Sequence, residues 1–250
     1  MTVSGQSYDL DLEQSQNAAI ITAESIRRGL PAHAATIALV TAMQESKLRN
    51  IDYGDRDSLG LFQQRPSQGW GTAKQIMDPW YSSGKFYEEL VKFGNWKSIS
   101  INDAAQQVQR SGYPEAYRKH EPLAKAWASA LTGHSPSALT CVNRSAETTT
   151  VHELARTARK GLASKVATHT TGSTVMFTAS DPVSVRAAVA LTMASTNLGP
   201  VDRATVATTS WRADSEHYAS CGAAAGPSAR PGARGTGRLS GSEAARCGAG

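Results

Sequence analysis

A mostly α-helical domain, a small α+β domain after it and a disordered C-terminal tail make up the fold class that this 250-residue sequence predicts. Three observations carry that reading. Helical spacing of apolar residues dominates the chain up to Leu131, and four of the five Trp (Trp70, Trp80, Trp96, Trp127) lie there, so the larger core belongs to that part. Residues 133–150 are rich in Ser, Thr and Asn and poor in large apolar side chains, which reads as a linker. From Cys221 onward Leu239 is the one large apolar side chain, too little buried surface to order a segment rich in Gly, Ala, Pro and Arg. The boundaries that follow are 9–132 for the helical domain, 133–150 for the linker, 151–220 for the α+β domain and 221–250 for the tail.

Taken in order, the first helix runs from Asp11 to Arg28 and is closed by Gly29 and Pro31. Pro31 suits the first turn of the next, which reaches Leu48; its middle, AATIALVTAM, is apolar nearly all round and predicts a buried central helix. Arg49 to Thr72 is a long non-helical connection, and loops of that length in a compact domain tend to carry function. Asp78 caps a helix with Pro79 in its first turn that runs to Phe93. Residues 104–110 and 114–131 are further helices, the last placing Tyr117, Leu123 or Ala124, Trp127 and Leu131 on one stripe. In the second unit, residues 152–165 read as helix and 174–179 as strand. Residues 183–196 read as helix after Asp181-Pro182, and 201–209 as a second strand.

Composition narrows the function classes. Hydrophobic residues at 40% and charged residues at 19% exclude both a membrane-embedded bundle and a highly charged disordered chain. No stretch approaches the roughly 18 apolar residues of a membrane span, so no integral membrane segment is expected. Met1 to Leu12 lacks the basic-then-apolar layout of a secretory signal. A net charge of +5 favours an anionic partner such as wall polymer, nucleic acid or a membrane surface. Cys141, Cys221 and Cys247 allow at most one internal disulfide and have no Cys-x-x-Cys spacing, and the six His show no paired spacing, so no metal or cofactor is expected. A Gly-x-Ser-x-Gly elbow and a phosphate loop are both absent.

Glu45 sits in the last turn of the apolar helix, just ahead of the long loop. Partial burial and the negative end of the helix dipole both disfavour a carboxylate there, so its pKa should be raised, and a neutral carboxylic acid at working pH is a general acid. Asp52, Asp55 and Asp57 crowd the same loop. A two-carboxylate hydrolase needs a second acid at about 5–9.5 Å, which any of them could supply, but ordinary turn chemistry is the favoured reading.

Gly60-Leu61-Phe62-Gln63 follows Glu45-Ser46 with Gln63 eighteen positions after Glu45. This pairing resembles the lysozyme-like domain of soluble lytic transglycosylases, in which a helix ends in Glu-Ser and a Gly-Leu-Met-Gln segment follows at the same separation. Phe62 replaces the Met, and the family's Tyr-Asn-Ala-Gly segment has no clean counterpart: Gln109-Arg110-Ser111-Gly112-Tyr113 stands in its region. The resemblance covers about the first 130 residues and is specific chiefly from Thr41 to Gly71. It implies that Glu45 is the catalytic acid and base, with Ser46 orienting its carboxyl. Gly60 and Leu61 would bring the backbone close to a sugar ring and Gln63 would bind an N-acetyl group. Tyr113, or else Gln109 or Tyr117, would close over the scissile sugar. Tyr117 reads as core from its stripe, and Trp70 between two glycines stands equally as a sugar-stacking platform or a packing plug.

The implied activity is cleavage of the β-1,4 bond between N-acetylmuramic acid and N-acetylglucosamine of bacterial peptidoglycan, giving 1,6-anhydro products. A hydrolytic lysozyme and a non-catalytic wall-binding module are the alternatives. The expected partner is the glycan strand, met outside the cytoplasm by a secreted or wall-associated monomer. Nucleic acid is not expected, because the tail arginines lack interleaved aromatics.

Overall fold

Asp11 opens the helical part of the molecule. Its carboxylate accepts from the Gln14 main-chain N–H at 3.0 Å while the Gln14 side chain accepts from the Asp11 N–H at 3.1 Å, fixing the start of α1 (Leu12–Arg27). Gly29, at φ 69°, lets the chain turn at the end of this helix. In α2 (Ala32–Ser46) every residue from Ala34 to Ala42 is buried, as an all-round apolar helix requires. The computed structural model describes residues 7–136, 138–143, 153, 155–195, 203–206, 209–212, 222–223, 235–240 and 245–249.

Around α2 stand α1, α4 (Pro79–Lys92), α5 (Ile101–Gln109) and α6 (Glu121–Leu131); a short α3 (Ala73–Ile76) precedes α4. Asp78 caps α4 by accepting from Trp80 N–H at 2.8 Å, and Ser100 caps α5 by accepting from Asp103 N–H at 3.1 Å. Buried polar side chains tie the bundle together: Tyr87 Oη donates to Ile21 O at 3.0 Å and Trp127 Nε1 to Tyr8 O at 2.9 Å. The molecule is mainly α, with its core around α2. The helix expected from residue 114 begins only at Glu121. Asn102 draws the intervening turns inward, its Nδ2 donating to Pro114 O at 2.8 Å and its Oδ1 accepting from Arg118 N–H at 3.2 Å.

The second unit does not keep a core of its own. Helices α7 (Arg156–Leu162) and α8 (Pro182–Ala194) pack on α1, and Leu162, Val175 and Phe177 belong to the same buried cluster as Ile21 and Trp127. A Cβ on Gly161 would lie 2.6 Å from the Ala23 Cβ, so α7 meets α1 at near-backbone contact. The boundary expected between 9–132 and 151–220 therefore does not separate two cores, because the apolar faces of α7 and α8 find their partner on α1. Within the expected linker, Leu139–Asn143 is a strand, β2; residues 144–152 lie outside the described residues.

A hairpin joins β3 (Val166–Thr171) to β4 (Thr174–Ala179) around Gly172 at φ 55°. Strand β4 buries Val175, Phe177 and Ala179 alternately, the pattern that made it readable, whereas β3 is mostly exposed and carries no such pattern. Further strands are β1 (Tyr8–Leu10), β5 (Arg203–Val206), β6 (Thr209–Arg212), β7 (Gly222–Ala223), β8 (Gly235–Ser240) and β9 (Ala245–Ala249). They form two antiparallel sheets, in the orders β1-β9-β2 and β3-β4-β8-β5-β6-β7, with Cys141 opposite Cys247 in register. The tail expected to be disordered thus contributes strands at 222–223, 235–240 and 245–249. Main-chain pairing needs no large side chains, and composition weighs only side-chain burial. The rest of 221–250 lies outside the described residues. No helix among the described residues is long and apolar enough to cross a membrane.

Candidate active site

The C-terminus of α2 and the loop after it build the site. Lys47 and Leu48, at φ 55° and 59°, reverse the chain, and their carbonyls accept from Gln14 Nε2 and Asn17 Nδ2, each at 2.8 Å, so α1 holds the turn. Leu59 and Gln64 exchange backbone hydrogen bonds at 2.9 and 3.0 Å, closing a tight loop over Gly60–Gln63. Gly60 is required there: its φ is 74° and a Cβ would lie 2.9 Å from Ile76 O. Ser46 Oγ donates to Leu61 O at 2.8 Å and to Ala42 O at 3.0 Å, fastening this loop to the helix. Leu61 and Phe62 are buried, with the Phe62 ring stacked on Phe86 at 4.7 Å between centroids.

Glu45 projects beside this loop into an open groove of about 880 Å³. Tyr117 Oη donates to Glu45 Oε1 at 2.8 Å, and the Gln109 amide also bonds the carboxylate while donating to Phe62 O at 2.8 Å. Burial raises the Glu45 pKa above the ordinary glutamate value; the Tyr117 and Gln109 hydrogen bonds favour the charged form and offset only part of that. Burial, and then the neighbouring Glu45, push the Tyr117 phenol well above its usual range, so Tyr117 stays a donor.

Of the residues singled out in the sequence, Glu45, Gln63 and Trp70 line the groove together with Gln109 and Arg110. Ser46, Gly60 and Leu61 do not. Ser46 is buried and spends its hydroxyl on two carbonyls rather than on the Glu45 carboxyl, while Gly60 and Leu61 face the core, so all three shape the site from behind. Tyr113 is 78% exposed and lies outside the groove lining; the hydroxyl beside the acid belongs to Tyr117. Tyr117 is buried as its stripe suggested, but the stripe gave no sign of where its Oη points. A buried acid that needs a neutral donor is the signal that finds it.

The loop aspartates separate by environment. Asp57 accepts from Arg65 Nε at 2.7 Å and Ser67 N–H at 2.8 Å, and these bonds hold its carboxyl far below the usual range. It is a loop strut. The Asp55 side chain lines the groove at 91% exposure, and Asp52 is exposed and outside the lining. No group of three or more His, Cys, Asp or Glu among the described residues could hold a metal ion.

Neither a protein-family model nor a curated protein matches the chain. The chemistry of the groove therefore rests on its own residues. A partly buried carboxyl with a raised pKa can deliver a proton to a leaving-group oxygen and recover one afterwards. The Gln63 and Gln109 amides stand beside it, with Gln63 Nε2 already donating to Tyr53 O and Gly60 O and Gln109 Nε2 to Phe62 O, and Trp70 adds an apolar face.

Proposed function

We propose that this groove cleaves the β-1,4 bond between N-acetylmuramic acid and N-acetylglucosamine in peptidoglycan, as a lytic transglycosylase that forms 1,6-anhydro ends. One observation carries the reading. Among the described residues, Glu45 is the groove-lining carboxyl with no ion-pair partner and a pKa raised by burial, whereas Glu88 and Glu89 are bound to Lys85 and Lys92 and Asp55 is open to solvent. Its place at the end of α2, eighteen residues before Gln63, is the arrangement that the resemblance to lytic transglycosylases rests on.

In this mechanism Glu45 protonates the glycosidic oxygen as the C1–O bond breaks. The substrate's acetamido oxygen assists at C1. Glu45, now a carboxylate, then takes the proton of the muramoyl 6-hydroxyl as that oxygen attacks C1, which closes the anhydro ring and restores the acid. No second carboxylate is needed, in keeping with Asp57 being committed to Arg65 and Ser67. The substrate lies outside the membrane, so the protein would act there, as a secreted or wall-associated monomer on glycan strands.

Mass spectrometry of the products from purified peptidoglycan tests this. The expected fragments end in anhydro-muramic residues, one water lighter than hydrolytic products. Reducing muramic ends carrying oxygen from labelled water identify a hydrolytic lysozyme, and wall binding without fragments a non-catalytic module.

A further inference from the structure

Among the described residues four cations line the groove, and three are already answered. Arg65 bonds Asp57, Lys85 bonds Glu88 at 2.8 Å, and Lys92 is paired with Glu89. Arg110 is different: it is exposed, and no hydrogen-bond or ion-pair partner faces its guanidinium among the described residues. It follows Gln109, whose amide bonds both Glu45 and Phe62 O, so its place is tied to the reacting end of the groove. Its backbone is left-handed, at φ 51°, where glycine or asparagine usually ends a helix, and Gly112 stands only two residues on. An arginine held there against conformational preference, with a free guanidinium in a groove, has the form of a carboxylate receptor. Nothing makes it an electrostatic partner of the acid, since no cation contributes to the Glu45 shift.

Resting on the proposed peptidoglycan cleavage, we infer that Arg110 recognises a carboxylate borne by the muramoyl residue, so that the groove selects anionic over neutralised glycan. Muramic acid offers that group in two forms. The 3-lactyl carboxylate is free on a stripped strand; on a strand bearing peptide stems it is amide-linked, and the stems supply carboxylates instead. The guanidinium fork suits either through two parallel N–H···O bonds.

The test measures kcat/KM of the full chain on three glycans from one preparation: strands with stems, strands stripped to the free lactyl carboxylate, and stripped strands whose lactyl carboxylate is methyl-esterified. The wild type is expected to prefer at least one carboxylate-bearing strand over the ester by about 10-fold or more, a charge-assisted hydrogen bond's contribution. Preference for the first or second strand assigns the stem or the lactyl source. Arg110→Gln should level the preference through KM, and Arg110→Lys should restore part of it. Arg110→Gly, which relieves the left-handed backbone, should level it without lowering the thermal midpoint. The inference is overturned if the wild type cleaves the ester equally well, or if Arg110→Gln and Arg110→Gly keep the preference. Cleavage of none of the three strands overturns the underlying reading of the groove as well, an outcome distinct from cleavage without preference.

Discussion

At Glu45 two effects of opposite sign meet, and their order sets the chemistry. Burial favours the neutral acid, and the 2.8 Å hydrogen bond from Tyr117 favours the carboxylate. In the proposed mechanism Glu45 must be protonated to act as general acid, so kcat/KM should fall as pH rises through the Glu45 pKa. Removing the Tyr117 hydroxyl takes away a bond to the charged form and leaves burial less opposed, which raises that pKa. Tyr117→Phe should therefore move the alkaline limb of the pH–rate profile to higher pH, as initial rates on purified peptidoglycan would reveal; a limb that stays or moves down contradicts this order of effects. Glu45 was singled out in the sequence by its spacing to the Gly60–Gln63 segment, and the structure places its side chain in the groove. Its partner was not legible there, since a tyrosine on an apolar stripe looks the same whether its Oη meets a carbonyl or an acid.

Among the elements, the junction of α2 with the loop over Gly60–Gln63 decides whether the acid faces a groove. Ser46 carries that junction through its bonds to Ala42 O and Leu61 O and does not line the groove. Ser46→Ala leaves the buried Leu61 carbonyl without its side-chain donor and should lower stability by about 1–3 kcal/mol. It should reduce kcat/KM as the loop loosens while leaving the pH profile in place. Denaturant unfolding together with that profile checks it, and a shifted profile would give Ser46 a direct role at the carboxyl. The loop motif was readable as a spacing between Glu45 and Gln63. The direction each residue faces was not, because Gly60 answers to Ile76 O, sixteen positions further along the chain, a contact the motif reveals only as a glycine. Capped helices such as α1 and α4 were found to within a residue or two, since Asp11 and Asp78 announce them. The late start of α6 escaped, because Asn102 acts on it from another helix.

For the whole molecule, the sequence suggested two units where the helices share one core. Periodicity reveals that α7 and α8 have apolar faces but not that α1 receives them. A shared core predicts a single cooperative unfolding transition, and Gly161→Leu, which forces a side chain into Ala23 at near-backbone contact, should lower the midpoint of that one transition. Two separate calorimetric transitions, with only the later one altered by the substitution, would mean independent domains. The central claim, that one carboxyl does the chemistry of the groove, is tested most directly by comparing soluble fragment release from purified peptidoglycan by the wild type and by Glu45→Gln. The amide keeps the volume and can still accept from Tyr117 but has no proton to give. The account predicts anhydro-ended fragments from the wild type and a loss of about 100-fold or more in the variant, with the fold unchanged by circular dichroism. A folded variant that keeps more than about a tenth of the rate would contradict it.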